Sequence, residues 1–303
     1  LALPFFMLQF EFESFFVAAE KPQLGLAVTI VCGLTNMVLD ALFIVVFSWG
    51  LVGAAAATVI SQIIGGVIPV LYFSRPHTSV LWLTKKNLNW KALRRACING
   101  SSELMSNISI SVISMLYNFQ LLKYAGENGV AAYGVLMYVN MIFLAVFIGY
   151  STGTAPVVSY HYGAGNHEEL RGLLRKSSVI IGIFAVMMFV LAEILAGTLA
   201  KIFVSYDAEL MAMTQRAFMI YSFSFLFSGI AIYGSSFFTA LNDGLISALI
   251  SFLRSLVFEV AAILILPLIF GLDGIWLSVV VAELIAASMT ILFLLAKRNV
   301  YHY

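Results

Sequence analysis

The sequence predicts an all-α polytopic membrane protein of about nine transmembrane helices, and three observations predict it. The 303 residues are 62% hydrophobic and only 10% charged, with a mean hydropathy of +1.00, far outside the mix of a soluble domain. Apolar runs longer than the ~18 residues needed to cross a bilayer recur along the chain. Two stretches about 220 residues apart also repeat one another: Ser14-Phe15-Phe16-Val17-Ala18 returns as Ser236-Phe237-Phe238-Thr239-Ala240, and Gly50-Leu51-Val52-Gly53 as Gly271-Leu272-Asp273-Gly274. In a membrane protein such a repeat implies two related bundles around a central cavity, which is transporter architecture.

Apolar runs read against polar breaks place the spans at roughly 1–19, 23–48, 51–74, 97–123, 129–158, 175–204, 211–241, 244–269 and 272–296. Several exceed the ~20 residues required, which implies tilt or protruding ends. The opening segment starts on Leu1 inside a helix and lacks the basic region and cleavage site of a signal peptide. The expectation is that an upstream portion has been lost. Cys32 and Cys97 give neither a disulfide framework nor metal-ligand spacing and read as small packing residues.

Charge sets the predicted orientation. Lys21, Arg75, Lys85, Lys86, Lys91, Arg94, Arg95, Arg171, Arg175, Lys176, Lys297 and Arg298 are twelve of the sixteen Lys and Arg, and all fall on one side. Only Lys123, Lys201 and Arg216 fall opposite, with Arg254 inside a span. Excess positive charge marks the cytoplasm, so the 75–96 break and the C-terminus are expected inside. The same rule accounts for the basic, Trp-containing stretch at 82–95 without a nucleic-acid partner.

Ionisable groups within the spans are functional candidates, because each costs at least ~2.5 kcal/mol to insert. Asn36 and Asp40 are four residues apart, on one helix face. Asp40 and Thr58 each lie eight residues from the outer loop at Ser48–Gly50, about 12 Å at the helical rise. The three are therefore expected at one depth, as a proton relay or a small-cation site, or as an interhelical hydrogen-bonded clip. In the fourth span Glu103, Asn107, Ser111, Ser114 and Asn118 form a single polar stripe. It reads as a water-lined cavity wall or as close packing through small residues. Glu259 and Glu283 flank the outer loop at Phe270–Gly271 at similar depth, with Arg254 placed to reach Glu283. That trio reads as a coupling site or a static salt bridge. Tyr117, Tyr133 and Tyr138 are the aromatic residues nearest the stripe.

These residues resemble a known family. Asn36-x3-Asp40, Gly50-Leu51-Val52-Gly53-Ala54-Ala55 and Ser61-Gln62 are similar to the fifth and sixth helices of multidrug and toxic compound extrusion (MATE) transporters. Tyr160-His161-Tyr162-Gly163-Ala164-Gly165-Asn166 resembles the loop after their eighth helix. Gly274-Ile275-Trp276 with Ala282-Glu283 resembles their last helix. The resemblance implies two six-helix lobes, of which this chain supplies helices four to twelve. Residues 1–74 are then a partial N-lobe of three helices, 75–96 a basic cytoplasmic linker, and 97–303 a complete C-lobe. It implies a monomer in the cell membrane that exports drugs or organic cations in exchange for protons or sodium ions. It also implies an N-lobe ion site at Asn36, Asp40 and Thr58. Glu103, Asn107, Ser111, Ser114, Tyr117, Asn118, Tyr138, Arg254, Glu259 and Glu283 are the cavity candidates. No cofactor is expected, and no metal beyond sodium at Asp40. The expected tenth helix, 211–241, contains no Asp or Glu, with Ser224 and Ser228 in the polar positions. This departure argues against sodium coupling in the C-lobe. A lipid-linked oligosaccharide flippase is the rival reading, but it calls for several cavity cations where only Arg254 lies mid-span. A membrane enzyme would need a convergent constellation, and all four His fall outside the spans.

Overall fold

The computed structural model of the protein describes residues 2–75, 81 and 89–303, and the side chains of 102, 103, 105 and 106 are outside that description. His77, Lys85 and Lys86, and the side chain of Glu103, therefore lie outside the described residues. The chain divides into two units, Leu1–Leu88 and Asn89–Tyr303.

The first unit is a three-helix bundle. Helix α1 (Leu3–Ala18) and helix α2 (Pro22–Asp40) each carry a proline in the first turn, where its missing N–H is not needed. A π-helical turn, Ala41–Val46, prolongs α2 directly after Asp40. The chain reverses at Ser48 and Gly50, both with φ of 55°, and helix α3 (Gly50–Ser74) returns. All three helices pack against one another around Phe12, Phe16, Ala19, Val28 and Phe73.

The second unit begins with helix α4 (Trp90–Asn99), whose first N–H groups, Lys91 and Ala92, donate to the Asn89 side-chain oxygen Oδ1. The latter part of the expected 75–96 linker is thus helical. Helix α5 (Ser101–Gly163) runs 63 residues but breaks at Gly126 (φ 63°, ψ −151°). The break sits in the polar interval between the expected fourth and fifth spans, and only glycine adopts that backbone without strain. Helix α6 (His167–Val204), helix α7 (Ala208–Tyr221) and helix α8 (Phe225–Ala240) follow. Asn166 caps α6 and Asp207 caps α7. Helix α9 (Gly244–Phe252), capped by Asp243, continues through a π turn, Leu253–Phe258, into helix α10 (Glu259–Phe270). Helix α11 (Leu272–Tyr301) closes the unit. Among the described residues seven helical stretches are long and apolar enough to cross a membrane. One of them, Asn107–Gly163, is 57 residues long and contains the Gly126 break. The expected first span corresponds to α1, which has 16 residues.

The internal repeat extends to backbone conformation. Glu20 and Asn242, which follow the two Ser-Phe-Phe segments, are both left-handed, at φ of 59° and 61°. Each helix end is closed by equivalent hydrogen bonds. Lys21 N–H donates to Phe16 O at 2.8 Å, and Asp243 N–H donates to Phe238 O at 2.9 Å. Gly50 and Gly271 both carry positive φ at the reversals. Three residues later, Gly53 and Gly274 let the returning helix close on the outgoing one. A Cβ at Gly53 would stand 2.9 Å from Phe43 Cβ, and one at Gly274 would stand 2.3 Å from Leu266 O. The packing pairs repeat too. α2 lies on α3 as α10 lies on α11, and α1 lies on α3 as α8 lies on α11.

Gly274→Ala should therefore lower stability by about 3 kcal/mol, because the added methyl meets backbone that cannot rotate away. Gly182→Ala in α6, where a Cβ meets nothing within 4 Å, should be neutral or slightly stabilising. Thermal unfolding of the two variants in detergent checks the contrast.

Candidate functional site

In the first unit the helix pair α2–α3 carries the candidate ion site. Cys32 Sγ bonds Ser61 O at 3.1 Å, and Gly53 faces Phe43. This antiparallel register places Thr58 near the level of Asn36, with Asp40 on the next turn. Asn36 and Asp40 are half-buried and Thr58 is exposed. No hydrogen bond joins Thr58 to Asp40. The Thr58 hydroxyl donates instead to Ala54 O of its own helix, at 2.9 Å. Asp40 Oδ1 and Asn36 Nδ2 are both buried with no hydrogen-bond partner. An unpaired polar atom away from water is costly. A carboxylate oxygen and an amide on adjacent turns are therefore arranged to receive something: a proton, a hydrated cation or a polar ligand group.

A second polar cluster lies within the second unit. Arg254 projects from the π turn, which widens the helix and shifts the register of its side chains. Arg254 Nε donates to both Glu283 oxygens at 3.0 Å, and Nη2 donates to Oε1 at 2.7 Å. The two side chains are 19% and 10% exposed. Glu259 opens α10 within electrostatic reach of both. One guanidinium thus faces two carboxylates, so the cluster carries a negative charge unless it takes up a proton or cation. Beside it Tyr117 donates to Ser278 Oγ at 2.6 Å, because the Ser278 hydroxyl is itself committed to Ile275 O. The Tyr117 and Tyr133 rings stack at 5.0 Å. Gln120 Nε2 donates to Ile263 O at 3.2 Å.

Of the stripe on α5, Ser114 reaches the edge of this cluster through a hydrogen bond with Tyr133. Asn107, Ser111 and Asn118 lie on the exposed surface of the unit and Ser114 is half-buried, whereas Tyr117 points inward. Asn118 lines an open depression of about 530 Å³ beside the Gly126 turn, with Phe119, Leu122 and Glu127 among its walls. Tyr138 is 71% exposed and joins neither cluster. Among the described residues no group of three or more His, Cys, Asp or Glu side chains could hold a metal ion.

Sequence reasoning missed a third polar group, in the first unit. Thr29 Oγ1 lies 2.8 Å from Glu13 Oε1, and Gln9 Nε2 donates to the same oxygen at 3.4 Å. Cys32 Sγ lies 3.4 Å from Gln9 Oε1. The available signal was that Thr29, Gly33, Asn36 and Asp40 follow steps of four, three and four along one face of α2.

Comparison with known proteins gives a consistent picture. The family model described as MatE matches residues 104–265, more than half the chain. The multidrug export protein MepA of Staphylococcus haemolyticus is 25% identical over 302 residues, covering 99% of this chain and 66% of the relative. MepA of a Staphylococcus aureus strain is 23% identical, with 98% and 66% covered. The chain thus spans just under two thirds of the length of these relatives. A Vibrio cholerae MATE transporter, VcmN, superposes with a TM-score of 0.86 at 22% identity, covering 97% of this chain and 67% of that one. A MOP superfamily transporter from Pyrococcus furiosus superposes with a TM-score of 0.87 at 21% identity, covering 93% and 64%. At these identities the structures establish the shared fold.

Proposed function

Because the chain belongs to the multidrug and toxic compound extrusion family, we propose that it exports small-molecule drugs or organic cations by proton- or sodium-coupled antiport through alternating access. It does so as a monomer in the cell membrane, with its C-terminus in the cytoplasm. The observation that carries the reading is the pair of unpartnered buried atoms on Asn36 and Asp40. Binding a proton or sodium ion at Asp40 neutralises the carboxylate and changes which packing of the outer half of α2 and α3 is preferred. An ion drives a conformational change only through its different affinity for the two states. Asn36, one turn away on the same face, offers its amide to whatever binds there. Thr58, one hydroxyl rotation from its Ala54 bond, supplies a further oxygen when a cation is present.

The second unit contributes the drug-facing groups. The stripe of Asn107, Ser111, Ser114 and Asn118 offers polar contacts along a helix otherwise lined by apolar side chains, while the buried, stacked Tyr117 and Tyr133 rings support it from behind. Arg254, Glu259 and Glu283 form a charged cluster whose excess negative charge favours a proton or an organic cation. The test is ethidium efflux by the natural full-length protein in reconstituted vesicles, with a pH gradient or a sodium gradient imposed separately. Efflux sustained by one gradient and abolished by its collapse is the expected result. Efflux indifferent to both gradients would rule out antiport.

A further inference from the structure

We propose that Glu13 is a second proton-carrying residue, linking Asp40 to the cytoplasmic side along one face of α2; the inference rests on the reading of Asp40 as the coupling site. Three observations carry it, all within the first unit.

The first is placement. Thr29, Gly33, Asn36 and Asp40 lie on one face of α2, spanning eleven residues, or ~16 Å at the helical rise. Glu13 meets the end of that face remote from Asp40, through Thr29 at 2.8 Å. It stands five residues before the end of α1 at Ala18, on the side where Lys21 marks the cytoplasm. Between the two carboxylates Gly33 leaves open space, since a Cβ there would meet nothing within 4 Å. Thr29 and Gly33 are exposed, so a file of water can lie along this face between the two acids, with an amide and a hydroxyl beside it.

The second is that the site suits both protonation states of the acid. The Thr29 hydroxyl has two acceptors within reach, Glu13 Oε1 at 2.8 Å and Gly25 O at 3.1 Å. With Glu13 ionised, Thr29 donates to it. With Glu13 protonated, Thr29 turns its hydrogen to Gly25 and its oxygen accepts from the acid. The hydroxyl and the acid stay paired in both states, which suits a proton carrier rather than a fixed charge. Gln9 is held for this task. Its Nε2 donates to Glu13 Oε1 at 3.4 Å.

The third comes from the repeat. Aligning Glu20 with Asn242, the two left-handed residues, pairs Glu13 with Ser235 and Thr29 with Ser251. In the second unit Ser235 Oγ and Ser251 Oγ make the same interhelical bond at 3.0 Å. Tying the two helices together at this point therefore needs only a hydroxyl. A carboxylate is costlier than a hydroxyl to place in an apolar helix, and unlike the hydroxyl it can take up and release a proton. The titratable group facing Glu13 from the neighbouring helix is Cys32, through Gln9, and Glu13 makes no ion pair among the described residues.

The transfer balances simply. Protonated Asp40 releases its proton to the water file, and the Glu13 carboxylate takes one up from that file. Glu13 then gives it to cytoplasmic water and is regenerated as the anion. The test uses the natural full-length protein in vesicles with ethidium as the probe. Glu13→Ser, which installs the hydroxyl of the counterpart position, should lower pH-gradient-driven efflux by about tenfold or more. Ethidium counterflow, which moves no net proton, should stay within about twofold. Infrared difference spectra between acid and neutral pH should lose one carboxyl band in Glu13→Gln. Gradient-driven efflux within about twofold of the parent in Glu13→Ser, or an unchanged carboxyl band, would reduce Glu13 to a packing residue. Should Glu13→Ser fail to fold, Thr29→Val keeps the acid and removes a donor to its charged form. The pH profile of efflux should then move upward, and an unmoved profile overturns the proposal. Loss of coupling in Asp40→Asn with none in Glu13→Ser would remove the relay and leave the Asp40 reading standing. Full coupling in Asp40→Asn would remove both.

Discussion

Replacing Asp40 with Asn in the full-length protein should lower ion-driven efflux by about 100-fold, equivalent to ~2.7 kcal/mol of coupling free energy, while leaving downhill equilibration of drug intact. Asn has nearly the same shape as Asp and satisfies the same packing, but it neither binds a proton in this pH range nor attracts a sodium ion. On the proposed mechanism the substitution removes the ion's preference for one conformation and leaves the two conformations themselves. Asp40 is half-buried and its Oδ1 has no hydrogen-bond partner, so an amide there replaces no existing contact and folding should be retained. Asp40→Glu should restore partial coupling with an altered ion affinity. Reconstituted vesicles with an imposed gradient, assayed for ethidium efflux and for counterflow, separate loss of coupling from loss of binding. Parent-level gradient-driven efflux in Asp40→Asn would remove the carboxylate from the mechanism.

The second large effect is expected at the Arg254–Glu283 pair. Truncating one partner of a buried ion pair strands the other and costs about 3–5 kcal/mol, whereas removing both together is nearly neutral. The two single substitutions should not be equal here. Glu283→Gln leaves Arg254 with Glu259 still in electrostatic reach, so the guanidinium keeps a counter-charge. Arg254→Met leaves two carboxylates and no cation, and should be the more destabilising. The double variant Arg254→Met with Glu283→Gln should recover most of the loss. Thermal unfolding of the three variants in detergent gives the order directly. Equal losses for the two single variants would mean that Glu259 does not contribute to the cluster's charge.

The candidate sites were legible to different degrees, for physical reasons. Counting residues to the loop places Asp40 and Thr58 in the same part of the membrane, because the helical rise is constant whatever the sequence. The reach of Arg254 to Glu283 followed in the same way. Rotation about the helix axis was not legible. Thr58 turned out to bond its own helix through Ala54, and Tyr138 faces outward, since each orientation depends on which neighbour the helix packs against. The two π turns, next to Asp40 and around Arg254, leave no mark in composition. A π turn arises where packing on both sides demands an extra residue in the turn. The role of Glu13 leaves no mark in the sequence, because its partner, Thr29, is distant along the chain and carries no charge.

The amino-acid sequence by itself determined the solvent this chain folds in, the repeat that relates its parts and the levels of its buried acids. All three depend on hydrophobicity and helical rise, which are local. Which faces those acids present, and which hydroxyls, amides and guanidinium stand opposite them, only the tertiary structure decided. Azimuth is set by side-chain packing between helices far apart in sequence, where a rotation of one residue's worth turns a carboxylate from its partner to open surface.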